Sequence, residues 1–135
     1  MAEVREEGEL GASVEEVWKL VGDFGGFIEA MGLPVTMEGE GIGQTRSIPM
    51  GAEPTVERLE ARDEDAKRLV YSIVSGSLPV ASYVSTMQLS PAGAGRTKIE
   101  WSSTFEPVGD AAAANAVVES IYKGGIAAMQ GRFGA

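Results

Sequence analysis

Residues 97–133 read "TKIEWSSTFEPVGDAAAANAVVESIYKGGIAAMQGRF", and this stretch decides the fold. Its opening segment alternates: Ile99, Trp101, Ser103 and Phe105 fall on one face, Lys98, Glu100, Ser102 and Thr104 on the other. Side chains alternate faces along a strand, so this is a strand with one dry and one wet side. After a short turn, Asp110 is placed to cap a long helix. Along that helix Val118, Ile121, Tyr122, Gly125, Ala128, Met129 and Arg132 recur at steps of three and four, which predicts its inner stripe. A half-wet strand needs cover on its dry face, and the long helix is the only element large enough to provide it.

Working back toward the N-terminus, the period stays near two. "SYVSTMQLS" and "RLVYSIVSG" read as strands rich in β-branched and aromatic residues, with "PAGAGR" and the polar "DEDAK" as turns. "TVERLEARDE" is another strand, and "VTMEGEGIGQTRSIPM" reads as two strands joined around "GEGIG". Before residue 35 the pattern changes. Ser13 with Glu16 forms a capping box, followed by Val14, Val17, Trp18 and Val21 at helical spacing. "GDFGG" breaks this helix, and "FIEAMGL" reads as a second short helix ended before Pro34. "AEVREEGEL" is a weak opening strand with Gly8 as an irregularity. The fold class expected is α+β: an antiparallel meander of about six to seven strands, curved around a long C-terminal helix, with two short helices after strand one. No repeat or linker divides the chain, so residues 1–135 read as a single domain.

Composition removes whole classes of function. The chain has no cysteine and no histidine, so disulfides, thiolate chemistry, Ser-His-Asp catalysis and the commonest zinc ligand are excluded. The acidic pairs lack ligand spacing, and neither a metal nor a cofactor is expected. A net charge of −9 makes nucleic acid and anionic membranes poor partners. No stretch approaches the roughly 18 apolar residues of a membrane span, and no signal-peptide pattern opens the chain, so no membrane insertion is expected. A cytoplasmic protein is the expectation. A homodimer is allowed but not required.

The pattern resembles the helix-grip fold of the START and birch-pollen-allergen superfamily, and within it the polyketide cyclase/dehydrase and lipid-transport group, often called SRPBCC. "SVEEVWKLVGDFGGF" is similar to the group's first helix and the break after it. "GIGQTRSI", "ERLEARDEDAKRLVYSIV" and "YVSTMQLSPAGAGRTKIEWSSTFEP" are similar to its strands, and "IYKGGIAAM" to its closing helix. The likeness bears on fold far more than on function, because the superfamily carries cyclases, ligand carriers, hormone receptors and quinone-binding proteins on one frame. There is also a local resemblance to the lachrymatory factor synthase of onion, which works with an arginine, a glutamate and a tyrosine in its cavity. The matching places here are Arg46 in "GIGQTR", Glu57 in "ERL" and Tyr83 in "YVSTMQ". The same substrate is not implied.

The residues themselves raise the same question. In "PTVERLEARDE", residues 54–64, Thr55, Glu57, Leu59 and Ala61 share the inner face. A buried, unpaired carboxylate costs several kcal/mol, so something must meet Glu57. In "GQTRSIP" Gln44, Arg46 and Ile48 share a face, so an inward Arg46 is the candidate partner, in bidentate geometry if the strands are adjacent. Tyr83 shares its face with Ala81, Ser85, Met87 and Leu89. Arg46, Glu57 and Tyr83 form the candidate catalytic set: Glu57 as general acid or base, Arg46 holding a substrate oxygen, Tyr83 donating to it. A structural ion pair beside a satisfied core tyrosine explains the same three residues. Trp101, Phe105, Met87 and Tyr122 read as core or as cavity lining, as does Tyr71, whose strand phase is open. The paired glycines of "KGGIAAM" cost a helix about 2 kcal/mol and mark a bend, a close packing contact or an earlier helix end. "GEGIG" and "GSLPVAS" read as hairpin turns or as gates of a cavity.

The function expected is the binding of a small hydrophobic or amphipathic molecule in an internal cavity. Cyclisation, dehydration or isomerisation by proton transfer, without a cofactor, is one outcome. A non-catalytic carrier of a lipid, polyketide or aromatic metabolite is the other.

Overall fold

The computed structural model describes residues 1–135. The elements run β1 (Ala2–Leu10), α1 (Val14–Val21), α2 (Phe24–Ala30), β2 (Thr36–Glu38), β3 (Thr45–Ile48), β4 (Thr55–Asp63), β5 (Arg68–Ser75), β6 (Val80–Pro91), β7 (Thr97–Pro107) and α3 (Ala111–Phe133). The strands form one seven-stranded sheet in the order β1-β7-β6-β5-β4-β3-β2, and every neighbouring pair is antiparallel. α3 packs on the dry face, giving a helix-grip-like α+β architecture with 24 buried hydrophobic residues in one cluster. No helix is long and apolar enough to cross a membrane.

Local chemistry sets the helix boundaries. Ser13 Oγ accepts the Glu16 N–H at 3.3 Å and starts α1. The break expected across "GDFGG" is confined to Gly22 and Asp23. Asp23 caps α2 by accepting the Gly26 N–H at 3.0 Å, so Phe24, Gly25 and Gly26 are helical. The low helix propensity of these glycines is overridden by packing: a Cβ on Gly25 would lie 3.0 Å from Met37 Sδ. α3 runs unbroken through Gly124 and Gly125 for 23 residues. Its buried positions are Ala114, Val118, Tyr122, Ile126 and Met129, so Ile126 joins the inner stripe while Arg132 is exposed.

β1 is more regular than its sequence suggests, pairing without interruption from Ala2↔Phe105 to Leu10↔Thr97. Gly8 is there because α3 comes close: a Cβ on it would meet Ile126 Cγ2 at 2.7 Å. Two irregularities overturn simple face parity. The register shifts between Leu59 and Ala61, so Ala61 turns out to solvent. Another shift between Ala81 and Val84, with Ser82 at φ 51°, exposes Ala81 and keeps Tyr83 inside. Beyond Ser72↔Val84 strands β5 and β6 part. The end of β5 stays on β4 through Val56↔Ser75, and the start of β6 stays on β7 through Val80↔Pro107. The sheet therefore splits over the side of the core that contains Glu57, Tyr71 and Tyr83.

Candidate functional site

β3 and β4 pair in register Arg46↔Glu57, which sets the two side chains directly opposite each other on the dry face. They are 2% and 6% exposed. Arg46 Nε donates to Glu57 Oε1 at 2.7 Å, and Arg46 Nη1 donates to the carbonyl of Phe24, the first residue of α2, at 2.8 Å. The contact is single and side-on rather than the bidentate fork. Glu57 Oε2 and Arg46 Nη2 form no hydrogen bond with the protein. The guanidinium carbon lies 3.9 Å from the Phe24 ring centroid and 4.9 Å from that of Tyr71. Both rings add cation–π attraction and hold the arginine in place. Burial raises the Glu57 carboxyl above the usual carboxylate range, and the neighbouring Arg46 charge and hydrogen bond only partly oppose this.

A pocket of about 380 Å³ opens beside this pair. The apolar side of α2 supplies Phe27 and Ile28 and its C-cap supplies Met31; the end of β3 and its loop supply Ile48 and Met50; α3 supplies Ile121, Gly124, Gly125 and Ala128. Arg46, Glu57, Tyr71 and Trp101 complete most of the lining, so a few polar groups converge in an apolar wall, the usual make-up of a small-molecule site. Gly125 is a packing glycine: a Cβ there would meet Trp101 Cζ3 at 2.5 Å. Gly124 has nothing within 4 Å of its would-be Cβ and leaves the pocket wall thin. A second compartment of about 20 Å³, room for roughly one water, lies where the sheet splits. Glu57, Tyr71, Met50 and Ile121 border both spaces.

The other predicted site residues divide. Tyr71 and Trp101 line the main pocket. Tyr83 borders only the small compartment, and its hydroxyl is bonded to that of Tyr122. Tyr122 is sealed, stacked on Trp101 with ring centroids 4.5 Å apart, and bonded to Ser85 Oγ at 2.8 Å. Met87 and Phe105 are core residues that border neither space; Phe105 packs on Tyr83 at 6.0 Å between centroids. Of the expected set, then, Arg46 and Glu57 come together, and Tyr83 stands behind them. Burial raises the Tyr71, Tyr83 and Tyr122 hydroxyls, so all three stay protonated. "GEGIG" lies at the far end of β3, bonded to Leu59 through Gly43 N–H at 2.8 Å, and lines neither space. Leu78 of "GSLPVAS" borders the small compartment, and Ser77 Oγ accepts the Glu53 N–H at 3.0 Å, tying two loops together. Sequence reasoning missed Phe24 and the pocket face of α2. The spacing of Phe24, Phe27, Ile28 and Met31 marks that face in the sequence, but not what lies opposite it.

Similarity to known proteins agrees with this architecture. No curated protein sequence matches the chain. A crystal structure of a protein from Bacillus thuringiensis is 31% identical, covers 98% of both chains and superposes with a TM-score of 0.86. The di-domain ARO/CYC protein BexL of the BE-7585A biosynthetic pathway is 22% identical over 96% of this chain and 45% of its own, with a TM-score of 0.77. Norcoclaurine synthase from Thalictrum flavum, solved with dopamine and hydroxybenzaldehyde, is 16% identical over 95% of this chain and 83% of its own, with a TM-score of 0.74. These last two share the fold. The family described as polyketide cyclase / dehydrase and lipid transport matches residues 1–134, and the chain belongs to it.

Proposed function

We propose that this chain, acting as one helix-grip unit, binds a small, largely apolar molecule with a polar group in the pocket beside Arg46 and Glu57, and exchanges a proton with it. The observation that carries this reading is the side-on ion pair. It leaves Glu57 Oε2 and Arg46 Nη2 without protein partners at the edge of an apolar pocket. A volume of about 380 Å³ suits a compact ligand, near the lower end of the roughly 300–1,000 Å³ of small-molecule sites. Arg46, braced by the Phe24 and Tyr71 rings, offers its remaining N–H groups toward a carbonyl or enolate oxygen. Glu57, its proton affinity raised by burial above that of an exposed carboxylate, is the stronger base for it and can accept or return a proton. Cyclisation, dehydration or isomerisation alpha to a carbonyl fits this pair without a cofactor. Tyr83 is withheld from the pocket by its bond to Tyr122, so the reading rests on Arg46 and Glu57.

The test is exchange of alpha C–H protons of small aryl ketones and aldehydes in D₂O, followed by NMR. Exchange above buffer with the wild type, lost in Glu57→Gln while binding persists, supports the enzyme. A carrier is the second reading, favoured by the free Arg46 N–H groups, which can pair with a ligand's acid group. Binding without exchange, abolished in Arg46→Ala, selects it.

A further inference from the structure

The three buried phenols are not equivalent, and their protons can be counted. Ser85 Oγ donates its single proton to the Ser102 carbonyl at 3.2 Å. Tyr122 then donates to Ser85 at 2.8 Å, and Tyr83 donates to Tyr122. Trp101 Nε1 donates to both Ser85 Oγ and Tyr71 Oη at 3.1 Å. Tyr71 therefore receives a hydrogen bond, while its own O–H proton has no well-placed acceptor in the protein. Tyr83 and Ser85 lie close enough to feel the Tyr71 hydroxyl, yet neither meets it with hydrogen-bond distance and angle. A buried donor left without an acceptor is costly and rare in native proteins. Tyr71 also borders both the main pocket and the small compartment, and its ring centroid lies 4.9 Å from the Arg46 guanidinium carbon.

We infer that Tyr71, not Tyr83, is the phenol that donates to a bound ligand, its O–H and the free Arg46 N–H groups converging on one acceptor oxygen while Glu57 Oε2 serves the adjacent atom. This rests on the ligand-binding reading above and narrows it to molecules whose polar group is a carbonyl, enolate or phenolate oxygen. Trp101 fixes the phenol by filling an acceptor site on its oxygen. The Tyr83–Tyr122–Ser85 chain holds the wall behind it.

The test uses 4-nitrophenolate, an apolar ring with one anionic oxygen, titrated against wild type, Tyr71→Phe and Tyr83→Phe. Binding is read by quenching of tryptophan emission, to which Trp18 and the pocket residue Trp101 both contribute, and each ligand-free protein is also melted. The expected result is binding to wild type, about tenfold weaker in Tyr71→Phe and within about twofold in Tyr83→Phe. Ligand-free Tyr71→Phe is expected to melt at or above the wild-type temperature, and Tyr83→Phe below it. Wild-type binding that Tyr71→Phe leaves unchanged overturns this inference alone, as does weakening by Tyr83→Phe instead. A Tyr71→Phe protein that melts far lower, or does not fold, also overturns it, because the protein then holds that proton. No binding to wild type overturns the ligand reading together with the inference.

Discussion

Glu57→Gln separates a structural ion pair from a functional carboxylate. Glutamine keeps the shape and removes the charge. Where a buried pair holds a fold together, removing one partner costs about 3–5 kcal/mol. Here the stranded partner is well supported. Arg46 would keep its bond to the Phe24 carbonyl at 2.8 Å and its two aromatic neighbours, and the amide oxygen of the substituted side chain can still accept from Arg46 Nε. What disappears is the charge assistance of one hydrogen bond, on the order of 1 kcal/mol. What is gained is release from desolvating a carboxylate, and burial outweighs Arg46 in setting Glu57's proton affinity. The expected change at pH 7 lies between a loss of about 1 kcal/mol and a small gain. For a chain of this size that is a melting shift within about 4 °C of wild type or above it. The pH dependence follows from the raised proton affinity. The folded state holds the Glu57 proton more tightly than the unfolded chain. Its stabilising contribution is therefore complete below the ordinary glutamate range and is lost as pH rises through the raised value. Wild type should lose stability relative to Glu57→Gln as pH rises from about 4 toward neutrality. Urea denaturation across that range is the assay. A pH-independent loss of about 3 kcal/mol or more would falsify the reasoning and make the pair structural.

Other outcomes follow from the same geometry. Arg46→Met leaves Glu57 buried without its cation, so a loss of about 3–5 kcal/mol is expected at pH 7, shrinking in acid as the carboxyl takes a proton; denaturant melts at two pH values check this. Gly125→Ala would drive a methyl into the Trp101 ring, whose Cζ3 is 2.5 Å from the would-be Cβ, and should lower stability by about 1–3 kcal/mol despite alanine's helix preference. Gly124→Ala, with nothing within 4 Å, should raise the melting temperature through a gain of up to about 1 kcal/mol while narrowing the pocket. Gly8→Val should cost more than about 1 kcal/mol, because Ile126 Cγ2 lies 2.7 Å from the first added carbon; thermal unfolding measures it.

The helix-grip-like fold was legible in the chain because its signals are local and repeat over long windows. The alternation of Ile99, Trp101, Ser103 and Phe105 and the long helix after Asp110 specify a half-wet sheet and its cover, and nothing distant has to be known. Parity alone also predicts that Arg46 and Glu57 both face inward, and pairing of β3 with β4 then brings them together. Parity failed where a bulge reset it, at Ala61 and Ala81, since one extra residue flips every side chain beyond it. Local propensity failed at α2, where contact with Met37 kept glycines helical. Which phenol borders the main pocket is set by tertiary structure alone. Tyr71 and Tyr83 are alike in the sequence as aromatic residues of β-strands. They differ because α3 brings Tyr122 onto the Tyr83 hydroxyl and β7 brings the Trp101 N–H onto that of Tyr71. Hydrogen-bond partners 39 and 30 residues away leave no trace in local periodicity.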